Sequence, residues 1–325
     1  MSSTGERCLF SAPFDFLPQE TIRAYEDLMD VQFREAWLPG DLAPDPQITV
    51  WVPNPGQNFT VTTEILDLFP ALRVIATPST GRNHIDEAAC SRKGVTVFSL
   101  QDDRATLDSI TASAEFTFLL LLNALRRLDF AVGEVTEDRW RSREDMLRGR
   151  ELAGMQVGIV GLGRNGGRMA RYCQAFEAAV AYYDPYVSKD DLPRWPLERI
   201  FSESQAVVVC CALTTETTDM IGIDLLKTMR QGAVLVNTSR GELIVESELA
   251  EVLAERADLR VGLDVIQGEV TNTHGASPLL GYHRSGQIVV TPHIAGATVD
   301  SQSKAALGSL NALAGFLAGA PARVD

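Results

Sequence analysis

The sequence has little of several features that would assign it to a specialised class of protein. It contains 5 cysteines in 325 residues and no C-x-x-C pair, so a disulfide framework fits poorly and no metal site is expected. Lysine and arginine number 29 against 43 acidic residues, which leaves a formal net charge of −14. This balance argues against nucleic acid or anionic membrane as a partner, because both need clustered basic side chains.

Long apolar runs are also missing. The longest, residues 116–122, is interrupted at Asn123 and is too short to span a bilayer. No basic stretch followed by an apolar one is evident at the N-terminus, so no signal peptide is predicted and a reducing cytoplasm is the expected compartment. A hydrophobic content of 45% with 22% charged residues is ordinary for a soluble globular protein, and the length favours two domains.

The sequence does contain a strand, helix and strand pattern at residues 156–185. The apolar run 157–160 has the Val/Ile composition of a buried parallel strand, a helix-forming stretch follows it, and a second strand is predicted at 179–183. Such a βαβ unit suits a dinucleotide, because the helix N-terminus offers unpaired N–H groups and a positive dipole end to a diphosphate.

Three glycines and an acid in this unit have the spacing of a dinucleotide fingerprint. Gly161, Gly163 and Gly166 form G-x-G-x-x-G, in which the first permits a tight turn, the second lets backbone approach the pyrophosphate, and the third lets helix pack on strand. Asp184 follows the second strand, where a carboxylate would bind a ribose and repel the extra phosphate of NADP. No arginine follows it, so NAD is favoured. The alternative is a non-binding glycine-rich turn with Asp184 as a helix cap.

Alternating strands and helices extend on both sides of this unit. Further strands are predicted at 7–10, 31–34, 48–52, 72–76, 95–98, 206–211, 233–237, 260–265 and 287–291. Helices are predicted at 20–30, 62–69, 85–93, 110–128, 222–230, 246–255 and 301–317, with a loop at 38–46 and polar connections at 133–151 and 268–286. The alternation predicts an α/β protein whose parallel sheets are covered on both faces.

The order of the elements also predicts how the domains are divided. The first hundred residues look like a small α/β domain without a phosphate-binding glycine signature. Helix 110–128 is apolar almost all round, so it either links the domains and contacts a second subunit or is an ordinary core helix. No strand follows the C-terminal helix, which should therefore dock on the first domain. We predict a discontinuous substrate-binding domain at 1–108 and 297–325, and an NAD-binding Rossmann domain at 109–296.

Three polar side chains follow strands of the nucleotide-binding half within a few residues. They are Arg240, Glu269 and His293, and ligands of doubly wound sheets bind beyond the carboxyl ends of the strands. Histidine suits proton transfer at neutral pH, a carboxylate can orient it, and arginine offers a planar fork to a substrate carboxylate. Each residue alone would more often be structural, but their joint placement predicts a catalytic group for hydride and proton transfer.

The four histidines are not equivalent candidates. His293 precedes a small-residue turn that includes Gly296, and hydride chemistry needs such a close approach. His274 and His283 lie in the polar connection 268–286, where a surface loop is the expected setting. His84 is less clear, because its turn could line the cleft.

Several motifs follow one another in the order and spacing of a known family: VGIVGLGRNGG, ALTTETTDMIG, VLVNTSRGELIVESEL, VGLDV and TPHIAGAT. On these motifs the chain resembles the D-isomer-specific 2-hydroxyacid dehydrogenases, which include phosphoglycerate dehydrogenases, glyoxylate and hydroxypyruvate reductases, and D-lactate dehydrogenases. The resemblance covers nearly the whole chain. It implies a Rossmann NAD-binding domain with a smaller flavodoxin-like substrate domain, and NAD-dependent interconversion of a D-2-hydroxy acid and its 2-oxo acid.

The resemblance also implies roles for particular residues. His293 would be the general acid–base, Glu269 its carboxylate partner, and Arg240 the group that binds and polarises the 2-oxo acid. Backbone N–H groups of Thr80 and Gly81 would hold the substrate carboxylate. Further cofactor contacts are implied for Arg164 and Asn165 at the diphosphate, Thr238, Ser239 and Asp264 near the nicotinamide, and Cys211 near the adenosine half.

The sequence departs from the family's pattern at two places. After the Thr-Gly turn the family commonly has a small residue, Asp and Asn, whereas this chain has Arg82, Asn83 and His84. Arg82 could contact a larger or more anionic substrate, or it could be a surface substitution, and both interpretations stay open. Val270 stands where a proline usually follows the glutamate. The reaction class is therefore better supported than the substrate.

A competing class keeps this scaffold but acts through partners, as the NAD(H)-sensing corepressors of the family do. The acidic charge and the lack of a basic patch argue against that class, whereas the His, Glu and Arg set does not discriminate. The expected partners are a small 2-hydroxy or 2-oxo acid and a second copy of the chain, because helix 110–128 resembles the family's dimer helix. No nucleic acid and no membrane are expected.

Overall fold

The computed structural model describes residues 4–269, 271 and 273–319. The chain divides into two compact units, each with its own parallel sheet. The first unit comprises Met1–Ile110, Val270–Asn272 and Ala297–Asp325, and the second comprises Thr111–Glu269 and Thr273–Gly296. Val270, the departure noted after Glu269, lies outside the described residues.

Strands and helices alternate along the described chain. The strands are β1 (Arg7–Phe10), β2 (Asp30–Phe33), β3 (Val50–Val52), β4 (Val74–Ala76), β5 (Thr96–Phe98), β6 (Gln156–Val160), β7 (Ala179–Tyr183), β8 (Ala206–Val209), β9 (Val234–Asn237), β10 (Arg260–Leu263) and β11 (Ile288–Val290). The helices are α1 (Gln19–Leu28), α2 (Thr63–Leu66), α3 (Glu87–Arg92), α4 (Arg104–Ser109), α5 (Ala112–Arg126), α6 (Leu128–Thr136), α7 (Glu144–Leu147), α8 (Arg164–Ala175), α9 (Leu197–Glu203), α10 (Ile223–Leu226), α11 (Glu246–Glu255), α12 (Leu279–Arg284) and α13 (Val299–Leu317). Every predicted strand is present with its ends within two residues of the prediction.

The first unit has a five-stranded parallel sheet in the order β2-β1-β3-β4-β5, which is the flavodoxin-like order. Successive side chains of its strands point to opposite faces. Leu9, Trp51 and Ile75 pack into an apolar cluster on one face, whereas Val50 and Val74 join a second cluster on the other. Both faces are therefore buried, as the Val/Ile-rich strands predicted.

The C-terminal helix α13 completes the first unit. It packs against α1, α4 and β4. The buried hydroxyl of Tyr25 in α1 donates a 2.7 Å hydrogen bond to the carbonyl of Ala306. The helix begins at Val299, two residues before the prediction, because the side chain of Thr298 caps it by accepting from the N–H of Ser301.

The second unit has a six-stranded parallel sheet in the order β11-β10-β9-β8-β6-β7. A parallel bridge between Tyr182 and Arg194 extends its edge beyond β7. The strand order reverses at β6, whose last residue, Val160, pairs with Val209 of β8 and Tyr183 of β7. A doubly wound sheet forms its ligand crevice at this point, beyond the carboxyl ends of the strands. The predicted fold class, α/β with a Rossmann and a flavodoxin-like sheet, is confirmed.

Helix α5 is shorter than the predicted 110–128. It starts at Ala112 and ends at Arg126, because Arg127 adopts the left-handed conformation with φ of 53°. By length and hydropathy alone, residues 104–126 are apolar enough to cross a membrane. The structure divides this segment into α4 and α5, however, and α5 packs against α8, β9 and β10 as a core helix of the second unit.

The stretch 133–151, predicted as a polar connection, is partly helical and partly buried. Helix α6 occupies its beginning and α7 lies within it. Glu134 of α6 is buried, and its carboxylate binds the guanidinium groups of Arg139 and Arg143 at 2.9 and 3.1 Å. These ion pairs fold the stretch back on its own helix, which a pattern of scattered charges could not indicate.

Three further helices, α4, α9 and α12, were missed. Helix α9 has apolar residues at i, i+3 and i+4, a spacing that predicts a helix and should have identified it. Helix α12 lies within the connection 268–286. The exposed His283 is therefore on a helix and not in a loop, and His274 begins a short 3-10 turn.

Candidate active site

The glycine-rich turn lies at the carboxyl end of β6, and each of its positions is occupied by glycine for a different reason. Gly161 has a φ of +91°, and a Cβ there would lie 2.7 Å from the Cα of Cys211. A Cβ on Gly166 would lie 2.0 Å from the carbonyl oxygen of Gly161. The fold itself therefore requires these two glycines. A Cβ on Gly163 would meet nothing within 4 Å, so this glycine leaves open space beside the N-terminus of α8, as a diphosphate needs.

Asp184 is held at the end of β7 by backbone N–H groups. Its carboxylate accepts from Leu162 at 2.7 Å and from Tyr186 and Val187 at 2.9 Å. The residue thus anchors its own turn, but it does not cap a helix as the alternative interpretation expected, because the next helix begins at Leu197. A carboxylate has about four acceptor positions, so three backbone bonds leave capacity for a ribose hydroxyl.

The other predicted cofactor residues lie around the same edge of the sheet. The hydroxyl oxygens of Thr238 and Thr117 are hydrogen-bonded at 2.6 Å, and the hydroxyl of Ser239 donates to the carbonyl of Val209. Burial raises the pKa of Cys211 to about 11, so it remains a neutral thiol. The side-chain oxygen of Asn165, in the first turn of α8, is buried and has no hydrogen-bond partner among the described residues. Together with the open space at Gly163, this orphaned oxygen fits a bound dinucleotide.

Arg240 sits in a turn organised by Asn237, the fully buried last residue of β9. The Asn237 amide donates to the carbonyl of Arg240 at 2.8 Å and accepts from the N–H of Ser239 at 2.9 Å. A Cβ on Gly241 would lie 2.2 Å from the carbonyl carbon of Ile266, so this turn packs directly on the segment after β10. Asn237 was not predicted, although an asparagine before a turn is a known signal.

The guanidinium of Arg240 is half-buried and charged. Burial lowers its pKa, while Glu269 and Glu242 act in the opposite direction. Arginine remains a cation at neutral pH even so. One of its nitrogens donates to the carbonyl of Ser239 at 2.6 Å, which fixes the direction of the side chain. The remaining donors can bind an anion such as a carboxylate.

Glu269 and His293, 24 positions apart in the chain, are in direct contact. One carboxylate oxygen of Glu269 lies 2.6 Å from Nδ1 of His293, and the other accepts from the N–H of Ile266 at 2.6 Å. Because a carboxylate accepts, Nδ1 carries the proton in this pair. The imidazole thus keeps Nε2 available for proton exchange, and nearly half of its side-chain surface is exposed.

His293 adopts a strained backbone conformation, with a φ of +54° that non-glycine residues rarely show. Asp264 holds this segment in place. It is fully buried, its carbonyl accepts from the N–H of His293 at 2.9 Å, and its carboxylate accepts from Ile294, Ala295 and the Thr291 hydroxyl at 2.6 to 2.9 Å. Such strain persists only where the surroundings enforce it, and it is common at active sites.

The pKa of Asp264 responds to these contacts in both directions. Burial raises it, whereas the hydrogen bonds from Thr291, Ala295 and Ile294 and the charge of His293 lower it. Both carboxylate oxygens of Asp264 are used inside the protein. Its predicted place near the nicotinamide remains a prediction, while its contacts give it a structural task.

Glu246 is a second buried carboxylate that the sequence analysis missed. It accepts from the N–H of Gln267 and from the hydroxyl of Ser277, both at 2.6 Å, and so joins the two ends of the segment that carries Glu269. Burial raises its pKa, the two hydrogen bonds lower it, and Glu242 and Glu269 raise it. A glutamate in the first turn of a helix is usually exposed, so no local signal could have identified it.

The loop with Thr80 and Gly81 belongs to the first unit. The carbonyl of Ser79 accepts from the N–H of Leu100 at 2.9 Å, and that of Thr80 accepts from the amide of Gln101 at 2.8 Å. The carbonyl of Gly81 accepts from the Ser79 hydroxyl at 2.8 Å. Within residues 4–269, 271 and 273–319, no acceptor bonds the N–H groups of Thr80 and Gly81. These two consecutive N–H groups are therefore available as hydrogen-bond donors to an anion.

Arg82, whose role the sequence left open, is engaged by its own unit. Its guanidinium lies 2.6 Å from Asp102 and 3.2 Å from Glu87, and its Nε donates to the Ser99 hydroxyl at 3.0 Å. Two carboxylates therefore already neutralise this cation. His84, its near neighbour, is buried within the same unit.

Comparisons with known proteins agree on one family. Residues 118–295 match the family model described as D-isomer specific 2-hydroxyacid dehydrogenase, NAD binding domain. A glyoxylate reductase of Korarchaeum cryptofilum is 32% identical over 254 residues, which cover 76% of this chain and 73% of that protein. The D-3-phosphoglycerate dehydrogenase of Mycobacterium tuberculosis is 32% identical over 251 residues, and the match spans 76% of this chain but only 45% of the relative. The crystal structure of the TT0316 protein from Thermus thermophilus superimposes with a TM-score of 0.81 at 26% identity, covering 97% of this chain and 98% of the other.

Proposed function

Because the chain belongs to the D-isomer specific 2-hydroxyacid dehydrogenase family, we propose that it interconverts a D-2-hydroxy acid and its 2-oxo acid with NAD. The family and the NAD cofactor predicted from the sequence are thereby confirmed, and the chain is an NAD-dependent 2-hydroxyacid dehydrogenase. The stereochemistry, the substrate and the residue roles are proposals. One observation carries the proposed residue roles, the contact of His293 with Glu269 beyond the ends of β10 and β11.

When bound, NAD supplies the hydride acceptor of the oxidation and, as NADH, the hydride donor of the reduction. The open space at Gly163 and the N-terminus of α8, with Arg164 and Asn165, would hold the diphosphate. The free acceptor position of Asp184 would bind the ribose. Thr238, Ser239, Asp264 and Gly296 are proposed at the nicotinamide half, and Cys211 at the adenosine half.

In reduction of a 2-oxo acid, the carbonyl oxygen gains a proton as the carbon gains a hydride. Nε2 of protonated His293 would donate that proton, and it would take it back from the hydroxyl group in the oxidation. Glu269 holds Nδ1 and would so keep Nε2 directed at the reacting oxygen. Proton transfer then needs no movement of the ring.

The substrate carboxylate needs a cation and hydrogen-bond donors. Arg240 would supply the cation and would also polarise the 2-oxo group. The free N–H groups of Thr80 and Gly81 would supply donors, because their peptide planes are already held by bonds to the carbonyl groups of Ser79 and Thr80. Arg82 is not assigned to the substrate, since it is paired with Asp102 and Glu87.

A panel of 2-oxo acids followed by NADH absorbance tests this proposal. Glyoxylate, hydroxypyruvate and pyruvate, with larger and more anionic acids beside them, should include at least one that the protein reduces. With NADPH, we expect kcat/KM at least about tenfold lower, because the Asp184 carboxylate would face the extra phosphate. Tight NADH binding without turnover of any acid would instead favour the NAD(H)-sensing alternative.

We also propose that the protein forms a homodimer, as predicted, but through α6 instead of the predicted helix 110–128, because α5 packs inside the second unit. Leu128, Val132 and Val135 are more than half exposed and lie at i, i+4 and i+7, on one side of the helix. The opposite side carries the buried Glu134 with its ion pairs. An apolar row at helical spacing suits a copy of itself, as closed symmetric dimers require.

Replacing Val132 with glutamate should convert a dimer into a monomer of 35.4 kDa, because a charge in the centre of an apolar interface loses its hydration. Light scattering after size-exclusion chromatography measures the mass directly. Leu38→Glu, which changes an exposed apolar residue of the first unit, is the matched control and should leave the mass unchanged. A wild-type monomer, or a V132E dimer, would refute the proposed interface.

A cytoplasmic location is the third part of the proposal. All five cysteines are free thiols in the structure, as a reducing compartment maintains them. Burial raises the pKa of Cys90 and Cys211 to about 11, which keeps these thiols unreactive.

A further inference from the structure

A chain of hydrogen bonds lies behind the loop of Thr80 and Gly81. Nε2 of His84 lies 3.1 Å from the hydroxyl oxygen of Thr77, which lies 3.0 Å from the hydroxyl oxygen of Ser79. The Ser79 hydroxyl donates to the carbonyl of Gly81 at 2.8 Å. His84 and Thr77 are almost fully buried, so water does not compete for these bonds.

The direction of the chain follows from the number of protons. A hydroxyl group has one hydrogen, and that of Ser79 is used on the carbonyl of Gly81. Ser79 must then accept from Thr77, and Thr77 in turn must accept from His84. Nε2 of His84 therefore carries a proton, and all three donors point toward the loop. Bonds in such a chain polarise and strengthen one another.

The chain ends on the carbonyl of Gly81, directly after the two peptide groups whose N–H groups would face the substrate. The N–H of Thr80 shares a peptide group with the carbonyl of Ser79, which accepts from Leu100. The N–H of Gly81 shares one with the carbonyl of Thr80, which accepts from Gln101. The bond from Ser79 to Gly81 fixes the next peptide plane. A peptide group held at its oxygen has a fixed N–H direction, so the loop is prepared for an anion before one arrives.

We propose that His84 is a positioning residue that, through Thr77 and Ser79, aligns the N–H groups of Thr80 and Gly81 for the substrate carboxylate. This inference rests on the proposed function of that loop. It also accounts for two residues of the first departure from the family's pattern, because His84 supports the loop through Thr77 and Ser79, and Arg82 binds Asp102.

His84→Leu removes the donor at similar volume and should raise KM for the preferred 2-oxo acid about tenfold, the effect of losing one well-aligned hydrogen bond to a charged group. The value of kcat should change less than about threefold, and KM for NADH should not change, because the loop would contact the carboxylate and not the cofactor. His84→Gln should restore KM, since the glutamine amide can donate from the position of Nε2. Thr77→Val, which breaks the chain one step further on, should behave like His84→Leu.

Tyr25→Phe is the matched control, because it also removes one buried hydrogen bond of the first unit. It should lower the melting temperature as His84→Leu does, by about 2–4 °C, but leave every KM unchanged. Hydrogen exchange at the Leu100 amide, which donates to the carbonyl of Ser79, should be faster in His84→Leu and unchanged in Tyr25→Phe.

The outcomes separate the two claims. If the wild type reduces a 2-oxo acid and His84→Leu keeps both its KM and the exchange rate of Leu100, the positioning role is wrong. A KM increase that His84→Gln does not reverse would also contradict it, as it would indicate general damage to the unit. If no 2-oxo acid is reduced, the proposed function fails, and exchange at Leu100 still decides whether His84 fixes the loop.

Discussion

Replacing His293 with alanine should lower kcat by a hundredfold or more while the affinity for NADH stays the same. A positioned general acid contributes about 10²–10⁴ to the rate, and His293 is held in place by the carboxylate of Glu269. The residues proposed for the diphosphate and the ribose lie in the turn after β6, at the start of α8 and after β7, and these proposed contacts do not involve the imidazole. Stopped-flow and steady-state NADH absorbance measure kcat, and fluorescence titration measures the NADH dissociation constant.

The alanine variant needs a control for backbone strain, because His293 has a φ of +54°. Asparagine tolerates this left-handed conformation better than alanine does. His293→Asn therefore removes the imidazole with little added strain, and it should lose as much activity as His293→Ala. If the asparagine variant kept a kcat within threefold of the wild type, His293 would have no part in proton transfer.

Glu269→Gln tests the partner of the imidazole. The amide keeps the shape of the side chain but cannot be relied on to accept from both Nδ1 of His293 and the N–H of Ile266. The loss should be smaller than for His293, because the imidazole itself is still present. An unchanged kcat would show that the carboxylate is not needed to orient the ring.

Replacing Arg240 with alanine should lower kcat/KM for the 2-oxo acid by about 10²–10³, the second large effect that we expect. The substrate carboxylate would lose the half-buried cation proposed to bind it, and removing one member of such a pair costs about 2–5 kcal/mol. Arg240→Lys should recover only part of the loss, because an ammonium group lacks the planar fork. The NADH dissociation constant should not change.

The matched control for charge is Arg199→Ala, since Arg199 is an arginine of the same unit that pairs with Glu203 on the exposed side of α9. It should leave kcat/KM unchanged. Wild-type kcat/KM in Arg240→Ala would exclude this residue from substrate binding. A loss confined to NADH affinity would move Arg240 from the substrate to the cofactor.

Much of the fold follows from local patterns. Short Val/Ile-rich runs between helical stretches were predicted as strands, and each of them is a strand in the structure. The pattern is reliable because a strand buried on both faces must be apolar along its whole length. Helix ends were less accurate. Helix α5 stops at Arg126 because the next residue turns into the left-handed conformation, and nothing in the apolar pattern of 110–128 indicates that turn.

The candidate site, like the fold, was predicted from the sequence only in part. The sequence alone determined that Gly161, Gly163 and Gly166 form a tight turn between a strand and a helix, and that Arg240 and His293 follow strands, because glycine spacing and strand periodicity are properties of short segments. Their predicted roles still await the experiments above.

Only the tertiary structure decided which polar side chains support the site. Asp264, which follows β10, accepts hydrogen bonds from the segment around His293. Glu246 joins the two ends of the segment that carries Glu269, and His84 is connected to the carbonyl of Gly81 through two hydroxyl groups. These contacts depend on how neighbouring strand ends and turns are brought together in three dimensions. A buried polar group must find a partner, but its sequence neighbourhood does not say which one.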